Sequence, residues 1–172
     1  IEVQAGTAAH LLPEAEAIPL ALIVNELLTN AVKHGEGRVV PRDGEMALKW
    51  SRLSAAQGNV EAQLQMGFCF AQGLGTLQDH GEALRWYRRA AEQGHGVAQL
   101  NVGFSYSQGQ GVPKDPPEAV KWFRQAAGQG VAEAQSNLGF CYGMGEGVAQ
   151  DFVESVQWYR RAAERGYAEA QA

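Results

Sequence analysis

The amino-acid sequence predicts an all-α fold: a right-handed α–α superhelical solenoid of 36-residue helix–turn–helix repeats, with a short N-terminal strand/helix segment before it. Three observations carry this. The four tryptophans, Trp50, Trp86, Trp122 and Trp158, stand 36 residues apart. On the same clock recur Ala62-Gln63, Ala98-Gln99, Ala134-Gln135 and Ala170-Gln171, together with Gly67, Gly103 and Gly139. The pairs Gly73/Gly75, Gly109/Gly111 and Gly145/Gly147 follow, then Asp79, Asp115 and Asp151. A fixed period of this length marks stacked supersecondary units that bury their apolar faces on one another. It also accounts for 21 Gly among 172 residues, well above the ~7% norm and without a Gly-X-Y pattern.

Each unit reads as two helices. The first runs from about Ala62 to Gln72 and is ended by Gly73, since glycine reaches positive φ without steric cost. The second starts near Asp79, whose carboxylate can accept from free backbone N–H groups. Pro116 and Pro117 open the equivalent helix one unit later, where a missing N–H does no harm. That second helix runs to about Gln93 and stops at Gly94. Ala83, Tyr87, Ala90 and Ala91 share one of its faces at helical spacing. Gly67 and Ala83 permit close approach of the two helices, with Phe70 and Tyr87 filling the space beside them. Three units are complete (62–97, 98–133 and 134–169). Residues 40–61 supply only the second helix of an earlier unit, and 170–172 begin a further one. Solenoids need polar end caps, and neither end reads as one, so the chain is expected to belong to a longer protein; Ile1 in place of Met agrees.

The pattern Ala134…Leu138-Gly139…Tyr142…Gly145-Glu146-Gly147-Val148…Asp151…Trp158-Tyr159…Ala162-Ala163…Gly166 resembles the Sel-one-like repeat family, relatives of the tetratricopeptide repeats with a longer period. The resemblance covers 40–172. Departures are small: Met66 for Leu, Phe70 for Tyr and Phe123 for Tyr.

Residues 1–37 differ in character. Ile1 to Ala5 and His10 to Leu12 are compatible with short strands, and Ile18 to Gly35 form a helix pattern with Glu26, Asn30 and Lys33 on one face. The run Pro19-Leu20-Ala21-Leu22-Ile23-Val24-Asn25-Glu26-Leu27-Leu28-Thr29-Asn30-Ala31-Val32-Lys33-His34 is similar to the N-box of sensor histidine kinases of the HWE-like branch. That resemblance implies Mg²⁺ at Asn30, water or metal oriented by Glu26, and phosphate near Lys33, in keeping with hard-cation and point-charge chemistry. The other nucleotide-binding motifs are missing: there is no Asp-x-Gly-x-Gly, and Gly73-Leu74-Gly75 falls in phase with the repeat turns. No helix upstream offers a phospho-acceptor histidine. Enzymatic activity is therefore not expected. The alternative function is a truncated ATP-binding remnant, with Mg-ATP as its cofactor; otherwise no cofactor is expected. The N-box helix also falls where a first helix would lie one period earlier, so it is expected to pack against helix 44–57 as a makeshift first unit.

Composition excludes further classes. With 14 Lys+Arg against 19 Asp+Glu and a net charge of -5, the chain is not a phosphate-backbone binder. The longest apolar run, Ile18 to Val24, is far short of the ~20 residues of a spanning helix, so neither nucleic acid nor membrane insertion is expected. Cys69 and Cys141 occupy one repeat position two units apart, on the order of 20 Å by helix spacing, too far for a disulfide; both are expected to be free and inert. Two free thiols suit a reducing compartment, and a kinase-like start points to the cytoplasm. His10, His34, His80 and His95 share no metal-ligand spacing, and His80 and His95 are expected in solvent.

The exposed face admits two readings in each helix type. Arg85, Arg88, Arg89, Lys121, Arg124, Arg160 and Arg161 interleave with glutamates on successive second helices, which indicates a solvated outer face. Phe68, Phe104 and Phe140 follow the packing glycine of each first helix. With Leu64 and Leu100 one turn earlier they either form an apolar ladder or pack between neighbouring first helices; such ladders serve as peptide-binding surfaces. In related solenoids the first helices line the concave side. The resemblance thus implies a non-catalytic scaffold or adaptor that binds a protein or peptide in that groove.

Overall fold

The structure, a computed structural model, describes residues 42–164 and 166. Among the described residues there are seven helices and no strand: α1 (Arg42–Ala56), α2 (Val60–Gln72), α3 (His80–Glu92), α4 (Gly96–Gln108), α5 (Pro116–Gly128), α6 (Ala132–Met144) and α7 (Phe152–Glu164). Each packs on the next in chain order. The fold is an all-α helical-repeat solenoid. α2, α4 and α6 are first helices of successive units, and α3, α5 and α7 are their second helices. The expected N-terminal strands, the N-box helix and its packing on helix 44–57 lie outside the described residues.

Helix ends follow the sequence signals. Gly73, Gly109 and Gly145 each stand at φ 71°, in the left-handed region, and their N–H groups return to Cys69 O, Ser105 O and Cys141 O. At second-helix starts Asp79 Oδ1 accepts from Gly81 N and Glu82 N, Asp115 Oδ1 from Glu118 N, and Asp151 Oδ1 from Val153 N and Glu154 N. Each bond satisfies a donor that the helix itself leaves free.

The first helices begin two residues earlier than the expected start at Ala62. Asn59 accepts from Ala62 N at 2.9 Å and caps α2. His95 plays the same part in α4, its Nδ1 accepting from Ala98 N at 3.3 Å. This corrects the reading of His95 as a solvated turn residue. The in-phase alanine is the first buried residue of the helix, not its first residue, because the cap sits outside the core.

The core repeats with the period. Met66, Val102 and Leu138 are fully buried, as are Ala90, Ala98, Ala126 and Ala134. Gly67 and Gly103 admit the rings of Tyr87 and Phe123: a Cβ on Gly103 would lie 2.5 Å from Phe123 Cε1. Cys69 and Cys141 are free and buried, and burial pushes both thiols up to about 11.

A buried glutamine joins successive units. Gln63, Gln99 and Gln135 each donate from Nε2 to Ala55 O, Ala91 O and Ala127 O at 3.2 Å, carbonyls at the end of the preceding helix that have no helical partner. Gln93 and Gln129 in turn donate to Gln63 Oε1 and Gln99 Oε1 at 2.8 and 2.7 Å. The Ala-Gln pair is visible in the sequence; its role is not, because the acceptor belongs to the preceding unit.

Candidate functional site

Each first helix buries one face and leaves a stripe at i, i+4, i+7 and i+11, the spacing of one helical side. In α2 the stripe is Glu61, Gln65, Phe68 and Gln72; in α4 it is Val97, Asn101, Phe104 and Gln108; in α6 it is Glu133, Asn137, Phe140 and Met144. Read across the units, these make four rows: Glu/Val/Glu, Gln/Asn/Asn, Phe/Phe/Phe and Gln/Gln/Met. Charge is confined to the first row. Glu61 Oε2 lies 3.3 Å from His95 Nε2, the ring nitrogen that does not cap α4.

The candidate groove residues separate. Phe68 and Phe140 are 43% and 48% exposed. Phe104 is half-buried, its ring edge-on to Phe123 at 5.6 Å between centroids. Leu64 is half-buried against the core. Leu100 is only 3% exposed and is not available on the surface, because the stripe runs through Val97, Asn101 and Phe104 and turns Leu100 into the core. Glu26, Asn30 and Lys33 lie outside the described residues.

Between α4 and α6 the stripe opens into a cavity of about 90 Å³, walled by Phe104, Phe123 and Phe140 and reached by Ser107, Asn137 and Cys141. Glu146 stands at its edge and is held by Lys114 Nζ at 2.9 Å. Asn137 Nδ2 donates to Glu133 O at 2.9 Å within its own helix, which leaves the Oδ1 carbonyl to accept. The amide row Gln65, Asn101 and Asn137 escaped sequence reasoning, since Gln and Asn do not register as a repeat by identity. Their common offset from the phenylalanine row is the signal that could have found it.

The arginine-rich face is built differently. Arg124 donates to the Tyr142 hydroxyl at 2.7 Å and Arg88 to the Tyr106 hydroxyl, both across a unit boundary. The Arg89 and Arg161 guanidinium carbons lie 4.5 Å from the Trp86 and Trp158 ring centroids. Arg85 and Lys121 pair with Glu82 and Glu118 on their own helices. Mixed sign and aromatic packing make this face self-satisfied, and its exposed ion pairs contribute little to stability.

Among the described residues no group of three or more His, Cys, Asp or Glu is placed to hold a metal ion. None of the described helices is long and apolar enough to cross a membrane.

The Sel1 repeat family model matches four stretches, 32–59, 60–95, 96–131 and 132–167. The chain is similar to the crystal structure of a Sel1 repeat protein from Oxalobacter formigenes: 36% identity, TM-score 0.72, over 86% of this chain and 57% of that one. It is also similar to a protective antigen of uropathogenic Escherichia coli displaying an SLR fold, with 36% identity and TM-score 0.74, over 86% of this chain and 34% of that one. Helicobacter pylori cysteine rich protein B shares the fold at 19% identity and TM-score 0.61, over 79% of this chain and 98% of that one. The chain thus spans about half, and about a third, of the two more similar structures. No curated protein matches it.

Proposed function

The chain belongs to the Sel1 repeat family, whose members are generally protein-interaction scaffolds, and on that premise we propose that it is a non-catalytic adaptor holding a segment of a partner protein along the first-helix stripe. The observation that supports this reading is the in-phase row Phe68, Phe104 and Phe140. Two of the three rings stand 43% and 48% in water. An aromatic row kept at the surface is a natural contact for apolar side chains of a partner. Leu64 borders this row; Leu100 contributes only support from beneath.

The test is affinity capture from a lysate with the chain and with a Phe68→Ser/Phe140→Ser variant, after circular dichroism establishes equal helicity. Proteins held by the first and lost by the second support the stripe. An identical set of captured proteins would place binding elsewhere on the molecule.

A further inference from the structure

From the chemistry of its walls we infer that the cavity between α4 and α6 binds a small organic ammonium ion, a protonated primary amine on a short alkyl stem. Such a site stands whether or not the first-helix stripe holds a partner. The cavity measures about 90 Å³; at about 10–15 Å³ for a water-sized group it has room for a molecule of a few heavy atoms, and its walls decide which kind. Phe104, Phe123 and Phe140 supply three aromatic rings from three successive helices. Aromatic rings attract a cation and pack against an alkyl stem. Glu146 is the one carboxylate among the described lining residues, and no Lys or Arg is among them.

The polar wall groups point to the same class. Ser107 Oγ donates to Phe104 O at 3.1 Å, Gln108 Nε2 to Ser107 Oγ at 3.3 Å and Asn137 Nδ2 to Glu133 O at 2.9 Å. Their donors are thus engaged, and what they have left to offer is mainly oxygen: the Asn137 and Gln108 carbonyls, beside the Glu146 carboxylate. The charge of Glu146 is felt at the Cys141 wall: burial first, and then this carboxylate, push the thiol up to about 11. An ammonium group brings the donors and the positive charge that these walls lack, and its hydrogen bonds to a carboxylate are of the stronger, charge-assisted kind. Lys114 Nζ already pairs with Glu146 Oε1 at 2.9 Å, but Lys114 is 57% exposed and does not line the cavity, so a bound ion can displace it at little cost.

Titration of the whole chain with n-butylammonium chloride, followed by amide NMR shifts, tests this against n-butanol, the neutral molecule of the same length. Butylammonium should shift the amides around Asn137 and Cys141 saturably, with a dissociation constant in the millimolar range, and butanol should bind at least about fivefold more weakly. Glu146→Gln keeps the shape and removes the charge; Phe140→Leu keeps an apolar wall and removes a ring. Each should weaken the ion by about threefold or more, at a helicity that circular dichroism finds equal to the parent's. Lys114→Ala removes the competing cation and should tighten binding. Equal affinity for butanol and butylammonium, or a Glu146→Gln protein that binds the ion as well as the parent, would overturn the ammonium site. So would the absence of saturable shifts up to high millimolar concentration. Tighter binding of acetyl-lysine methylamide than of butylammonium would overturn the assignment to a free amine and give the cavity to a protein side chain.

Discussion

Gly103→Ala adds a single methyl group to α4, a change that helix propensity favours by about 1 kcal/mol. The tertiary structure opposes it. The new Cβ would lie 2.5 and 2.6 Å from Phe123 Cε1 and Cδ1, against about 3.5–4.0 Å for carbon atoms in contact. Relief requires a displacement of about 1 Å. Phe123 is 2% exposed, and the contact falls on the body of the ring, so the displacement passes into the packing of α4 on α5. Overpacking of this kind costs about 1–3 kcal/mol. An overlap of about 1 Å on the body of a buried ring belongs in the upper part of that range, about 2–3 kcal/mol, so after the propensity gain we expect a net loss of about 1–2 kcal/mol, or roughly 2–8 °C in Tm for a 172-residue chain. Gly128→Ala supplies the comparison: it lies at the end of α5 with nothing within 4 Å of its Cβ, so the same chemical change should raise Tm slightly. Differential scanning calorimetry and urea melts of both variants would check this, with Gly103→Ala/Phe123→Leu expected to recover part of the loss through coupling. A Gly103→Ala protein as stable as the parent would refute the claim that glycine is there for close approach.

Other variants probe the remaining layers. Gln99→Leu removes one donor to Ala91 O, which still accepts from Gly94 N, and takes the acceptor from Gln129 Nε2; it should cost about 1 kcal/mol in urea melts, and a neutral result would remove the glutamine link from the account of repeat stacking. Leu138→Ala, at a fully buried site, should cost about 2–5 kcal/mol, while Phe140→Ser two residues on, with its ring 48% exposed, should cost clearly less, about 1 kcal/mol; similar losses would mean that Phe140 belongs to the core. Because burial raises the Cys69 and Cys141 thiols from 9.0 to about 11 and the Tyr87 phenol from 10.0 to about 12, these groups keep their protons in the folded chain after the unfolded chain has lost them. Stability should therefore fall as pH rises from about 9 toward 12. The fall should be shallower in Cys69→Ala/Cys141→Ala, and an unchanged slope would exclude the thiols as its source. In native protein at pH 8 both thiols should react with a disulfide reagent far more slowly than in urea.

The repeat was legible because its signals are local. A glycine at positive φ, an aspartate before a helix and a proline in a first turn each act through bonds within a few residues, so Gly73, Asp79 and Pro116 stand in the structure where the sequence puts them. Free cysteines followed from the same regularity. Legibility stopped where the partner lies in another unit. His95 reads as a turn residue until Glu61 is seen beside it, and Gln99 shows no role until Ala91 O is found beneath it. Leu100 and Phe104 look alike as apolar residues one turn apart, yet only the angular position of α4 against its neighbours buries the first and leaves the second half-exposed.

Sequence alone thus determined the period, the glycine stops of the first helices, the capped starts of the second helices and the family, all properties that every unit carries within itself. The tertiary structure decided which apolar residues of each first helix remain at the surface, that an amide row accompanies them, and that a cavity opens between Phe104 and Phe140. The physical reason is that exposure in a solenoid is set by stacking. A side chain's accessibility depends on what the units before and after it cover, and that is a relation between repeats which no single repeat contains.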